Sequence, residues 1–159
     1  MLESLELHRA QLRDPDLLSL AIWYHDAVYI PLCNDNEEQS AGLAIKNFKK
    51  YLSPKKLKRL ESLIIATKHQ STLPDFDNDT AWLHDLDLEI LGQNPENYKT
   101  YSQNIRREYS LVPQVLYNTG RKKVLKIFLE RPFVYATEYF RTTQEAQAKL
   151  NLFEELNSL

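Results

Sequence analysis

Apolar residues recur along this chain at three- and four-residue spacing nearly throughout, and no segment alternates with a period of two. That pattern predicts helices and no strands. Prolines and other breakers cut the pattern into about eight pieces. Residues 1–13 read as a helix ended by Asp14-Pro15, and residues 16–29 as a second, stopped by Pro31. The third covers 36–51 with Asn36 as N-cap, and the fourth covers 54–70 with a proline in its first turn. The fifth covers 79–91 and ends at Gly92. The sixth and seventh span 95–109 and 113–130, and residues 142–156 close the chain. The aromatic stretch 132–141 lacks a helical period and reads as an ordered loop. Short connections between many helices predict an all-α, single-domain helical bundle.

Polar residues fall on several apolar faces. The second predicted helix is apolar almost all round, from Leu17 to Val28, and should be central, yet His25-Asp26 lies within it. A buried charge is costly unless paired or metal-bound. In the fifth, Leu83, Leu86, Asp87, Ile90 and Leu91 share one face, which places Asp87 inside and Asp85 on the solvated side with Glu89. His84-Asp85 is accordingly a second His-Asp pair on the wrong side. Glu37 heads the apolar line Ala41, Ala44, Phe48 and Tyr51, with Glu38 nearer its rim. Lys68 and His69 end the apolar faces of the fourth helix, and Arg121 lies in line with Tyr117, Val124 and Phe128 of the seventh.

Each of these placements has an ordinary structural explanation: a satisfied core histidine, an ion pair to arginine, a first-turn acid favoured by the helix dipole, a snorkelling lysine. Together they put one histidine, two aspartates and a glutamate toward a common interior, which is how bundle cores build metal sites. A His-plus-carboxylate set without thiolate suits Mn, Mg or Fe ions more than structural Zn.

Composition narrows the alternatives. The 159 residues carry a net charge of −2, so no basic field points to nucleic acid. A single cysteine, Cys33, provides neither an internal disulfide nor a cysteine zinc site. The apolar run 17–24 is too short for a membrane span, and the first residues lack a signal-peptide pattern, so the expected location is the cytoplasm.

The segments AIWYHDAVY, DNEEQSA, LIIATKH and DLDLEILG, in that order, resemble the HD superfamily of metal-dependent phosphohydrolases, and most closely a bacterial branch of predicted hydrolases. IRREY and GRKKVLKIFLERPFVY resemble the same branch, so the likeness covers about residues 16–153. The resemblance implies metal ligands at His25, Asp26 and Asp87, with Glu37 or, second, Glu38 acting on the attacking water. It implies a small phosphorylated substrate, with Lys68, His69 and Arg121 as phosphate-holding groups. Homo-oligomers are compatible with it. The superfamily's first histidine ligand sits on the helix ahead of the His-Asp doublet. His8 is the only upstream histidine, and at 1.5 Å per residue it falls roughly 6 Å short of the level of His25. The expectation is that His8 is not this ligand, which then lies ahead of Met1 or has been lost. That absence supports an alternative, an HD-fold helical binding or regulatory protein with a degraded metal site and no turnover. A third reading, a helical interaction protein whose inward carboxylates form ordinary ion pairs, predicts no metal.

Overall fold

The computed structural model describes residues 1–30, 33–68 and 75–159. Among them it is all-helical, with nine α-helices and no strand. None of these helices is long and apolar enough to cross a membrane. They gather into two compact units.

The first unit holds α1 (Leu2–Leu7), α2 (Pro15–Tyr24), α3 (Asn36–Phe48), α4 (Pro54–Ile65) and α5 (Asn78–Asp87). Proline in the first turn preceded by a capping side chain starts two of them. Asp14 Oδ1 accepts the Leu17 N–H at 3.2 Å for α2, and Ser53 Oγ accepts the Lys56 N–H at 3.4 Å for α4. Leu5, Leu18, Ala21, Ala44, Leu60, Ile64 and Leu83 are sealed in the core of this unit.

One buried carboxylate sets the relation of α2 to α5. Asp79, in the first turn of α5, accepts the Arg13 N–H at 2.8 Å and the Asp14 N–H at 2.9 Å. The start of α5 is thereby pinned to the start of α2. The two helices run parallel and have ten residues each, so their C-terminal ends, Tyr24 and Asp87, come out level.

The second unit, Leu88–Leu159 in its helical part, begins with a 3-10 turn at Glu89–Gly92. It continues with α6 (Pro95–Glu108), α7 (Gln114–Glu130), α8 (Glu138–Thr143) and α9 (Glu145–Ser158). Leu91, Tyr98, Leu125, Phe128, Phe140 and Leu152 form its core. A Cβ on Gly92 would lie 2.7 Å from Gln144 side-chain atoms and from the Tyr135 hydroxyl, so this turn packs only with glycine.

Helices α1 and α4 end at Leu7 and Ile65, short of the expected ends at residues 13 and 70, and four further boundaries need correction. First, α2 ends at Tyr24 with His25 as its C-cap, so His25-Asp26 stands at the helix end and not in its middle. Trp23 is 68% exposed, so α2 is not buried all round. Second, Asp35 and not Asn36 occupies the N-cap position of α3, and Tyr51 lies beyond the helix, exposed. Third, Leu88 breaks the fifth predicted helix into α5 and the 3-10 turn. Fourth, the stretch read as a loop, 132–141, ends in helix, since α8 begins at Glu138, and the last predicted helix starts at Glu145. The Glu145 carboxylate accepts the Val134 N–H at 2.8 Å and the Tyr135 N–H at 3.2 Å, anchoring the aromatic segment to the first turn of α9, while α8 forms ahead of it. The expected order of that segment holds: Val134 and Tyr135 are fully buried.

Candidate functional site

The matched ends of α2 and α5 bring His25, Asp26 and Asp87 together. His25 Nε2 lies 3.3 Å from Asp87 Oδ1 and 3.5 Å from Asp26 Oδ2. The other ring nitrogen, Nδ1, donates to the Ile22 carbonyl at 2.8 Å, one turn back along α2. That bond fixes the ring's orientation and leaves Nε2 aimed at the carboxylates. The imidazole and Asp87 side chains are 13% and 19% exposed, whereas Asp26 is 65% exposed. The set therefore has a closed side and an open side.

Helix ends sharpen its electrostatics. Asp87 is the last residue of α5, and Asp26 directly follows the C-cap of α2. Both carboxylates thus sit where helix dipoles are negative, which disfavours anions and favours a cation. Burial opposes charge on His25, but the hydrogen bond and charge of Asp87, helped by Ile22 and Asp26, outweigh it and push its pKa up to about 9. Two carboxylates facing one nitrogen leave a net negative set even when the imidazole is protonated.

The donors fit a divalent ion in part. Nitrogen and carboxylate oxygen are the donors that oxygen-preferring ions accept. Adjacent ligands on an octahedral ion with bonds of about 2.1 Å stand roughly 3.0 Å apart, close to the two separations at Nε2. No group of three or more His, Cys, Asp or Glu side chains among the described residues forms a ready-made cage.

Asp85 departs from its expectation. It is fully buried, and His84 Nδ1 lies 3.0 Å from its Oδ1. The reason is that residues Trp82 through Leu86 of α5 are all buried, so the helix has no solvent face there for a helical wheel to find. Asp87 lies beside His25, and the expectation that Asp85 faces solvent is overturned.

The remaining predicted site residues separate into groups. Lys68 Nζ donates to Glu38 Oε1 at 2.8 Å and to the Asn34 carbonyl, so a predicted phosphate-holding group and the second-choice base are ion-paired. Lys68 holds the Glu38 carboxyl below its ordinary range, and Glu38 raises the Lys68 ammonium. Glu37 is half-buried in the first turn of α3. Arg121 belongs to the second unit, where it is bidentate to Glu155 at 2.7 and 2.9 Å. The Tyr98 hydroxyl donates to the same carboxylate. His69 lies outside the described residues. His8 stacks on Trp82 with ring centroids 4.8 Å apart.

Sequence reasoning missed Asn36 and Ser40. Asn36 Oδ1 accepts the Ile30 N–H and its Nδ2 donates to the Ile30 carbonyl, both at 3.0 Å. Ser40 Oγ accepts the Val28 N–H at 3.0 Å and donates to the Val28 carbonyl at 3.2 Å. Farther along α3, Asn47 donates to the Tyr24 hydroxyl. This register is antiparallel and places Glu37 and Glu38 level with Ile30 rather than with His25. Two polar residues one helical turn apart, both buried, were the available signal.

No protein-family model, curated protein or solved structure matches this chain.

Proposed function

We propose that this protein is a metal-dependent phosphohydrolase of the HD type, acting on a small phosphorylated substrate. One observation carries the reading: an imidazole fixed through Nδ1 aims Nε2 at two carboxylates, each at a negative helix end. His25, Asp26 and Asp87 are the residues that would hold the ion, with Mn, Mg or Fe favoured over Zn because no thiolate joins the set. A divalent ion bound there supplies Lewis-acid polarisation of a phosphoryl oxygen and acidification of a water. Glu37 is the first candidate to act on the attacking water and Glu38, engaged by Lys68, the second; both stand level with Ile30, so either role requires the start of α3 to approach His25. Lys68 holds phosphate by exchanging Glu38 for it, a swap between two anions on one ammonium. Arg121 contributes to the second unit's stability through Glu155.

The test is titration of the purified protein with Mn ion, followed by hydrolysis of p-nitrophenyl phosphate. The reading predicts saturable binding and turnover in the wild type, with both lost in His25→Ala and Asp87→Ala. The lack of a three-residue cage among the described residues favours a second reading, an HD-fold binding or regulatory protein. It predicts no turnover at any metal concentration.

A further inference from the structure

The segment that follows His25-Asp26 is gripped by α3 side chains at two points. Ser40 bonds both the N–H and the carbonyl of Val28, and Asn36 bonds both those of Ile30, whose carbonyl also accepts the Cys33 N–H at 3.1 Å. These two α3 residues are four apart and therefore stacked on one face, while Val28 and Ile30 are two apart and face the same way along an extended chain. Each side chain offers one donor and one acceptor, as a neighbouring strand would. Ser40 is fully buried and Asn36 nearly so. A buried polar side chain in a helix is costly unless fully bonded, so the pairing is a specific arrangement and not a surface contact.

What this pairing controls is Asp26. Asp26 precedes Val28 by two residues, and its side chain is 65% exposed. Packing therefore does little to fix its carboxylate, and its place 3.5 Å from His25 Nε2 depends on the backbone on either side. On one side that backbone is α2; on the other it is the clamped segment. We propose that Ser40 and Asn36 are positioning residues that fix Asp26 against His25 by gripping the backbone of Val28 and Ile30. The proposal rests on the reading of His25, Asp26 and Asp87 as metal ligands. It adds a pair of α3 side chains that touch neither ligand nor substrate.

The test uses the full chain and Mn ion as the probe, with binding measured by calorimetry in wild type, Ser40→Ala and Asn36→Ala. Each variant should bind Mn about tenfold or more weakly, the loss typical when a ligand's supporting bond is removed. The Val28 amide should exchange with solvent roughly tenfold faster in Ser40→Ala, and the Ile30 amide likewise in Asn36→Ala. Ala44→Gly weakens the same helix one turn beyond Ser40 without removing either clamp side chain; it should lower the melting temperature and leave Mn affinity unchanged. Two results overturn the proposal separately from the reading beneath it. One is unchanged Mn affinity in both clamp variants; the other is an affinity loss in Ala44→Gly equal to theirs, which marks a general effect of helix stability. Should Ser40→Ala fail to fold by circular dichroism, Asn36→Ala alone decides. A wild type that binds no Mn overturns both the metal reading and the proposal.

Discussion

Each of the two units contains a cluster of charged side chains that is at least partly buried, and the two clusters are built differently. In the second unit, Arg121 and Glu155 match one to one, fork to fork, and the Tyr98 hydroxyl takes up further capacity of the same carboxylate. Burial opposes the Arg121 charge, yet Glu155 keeps the guanidinium firmly protonated; burial and Glu155 together push the Tyr98 hydroxyl far up. Nothing there asks for another ion. In the first unit, one imidazole faces two carboxylates, and one of those is open to water. Helix ends show the same contrast. The C-terminus of α7 is met by the Lys149 ammonium, which donates to the Arg131 carbonyl at 2.7 Å and the Leu129 carbonyl at 3.2 Å. The C-termini of α2 and α5 are met by aspartates, against the dipole preference. A balanced cluster with a cation at the helix end is a structural device. An unbalanced one with anions at two helix ends is the arrangement on which the proposed cation site rests.

The largest expected effect falls on the balanced cluster. Glu155→Ala leaves the Arg121 charge buried without its partner, which costs about 3–5 kcal/mol in urea-unfolding experiments. Mn affinity should not change. A loss of stability below about 1 kcal/mol would show that the cluster is solvated in solution.

The next effect separates the two aspartates of α5. Asp87→Ala should reduce Mn affinity tenfold or more, by analogy with losses known for weakened metal sites. Asp85→Ala should instead destabilise the fold by about 1–3 kcal/mol, because its buried His84 loses a partner. Equal loss of metal in both variants, with both folded, would remove the distinction between them.

A smaller effect appears with pH in the metal-free protein. The folded His25 pKa, about 9, exceeds its ordinary value of 6.5. Its contribution to stability is therefore complete below pH 6.5 and lost as pH rises through about 9. Urea midpoints measured in chelator should fall across that window, and His25→Gln should flatten the slope. A wild-type profile already flat there would mean that the carboxylates do not engage the ring. The smallest effect is that of Lys68→Ala, which should change stability by less than about 1 kcal/mol, since Lys68 and Glu38 form an exposed pair.

Much of the fold is legible in local sequence. Asp14-Pro15, Ser53-Pro54 and Asn94-Pro95 each start a helix, since a capping side chain followed by proline acts within one turn. The ends of α6 and α7 fall within a residue of their expected places. The end of α2 is not legible. No breaker stands before Pro31, and the segment after Tyr24 combines a backbone turn, Ala27 N–H to the Tyr24 carbonyl, with bonds from Ser40 and Asn36, residues that periodicity treats as neutral. The burial of Asp85 escaped because α5 is enclosed through consecutive positions, which erases the amphipathic contrast a helical wheel needs. The inward aim of Arg121 was readable from its own helix, but its partner Glu155, 34 residues on, was not. Residue spacing placed Asp87 on an inner face, while its meeting with His25 depends on the parallel alignment set by Asp79 accepting from the turn before α2.

The central claim is that the His25 cluster receives a cation and the Arg121 cluster does not. Thermal unfolding with and without Mn ion, for wild type, His25→Ala and Tyr98→Phe, tests it most directly. An ion that binds only the folded state raises its stability by about 2.7 kcal/mol at a hundred times its dissociation constant. The account predicts a rise in melting temperature with Mn for wild type and for Tyr98→Phe, and none for His25→Ala. A rise of equal size in His25→Ala, or no rise in the wild type, would contradict it.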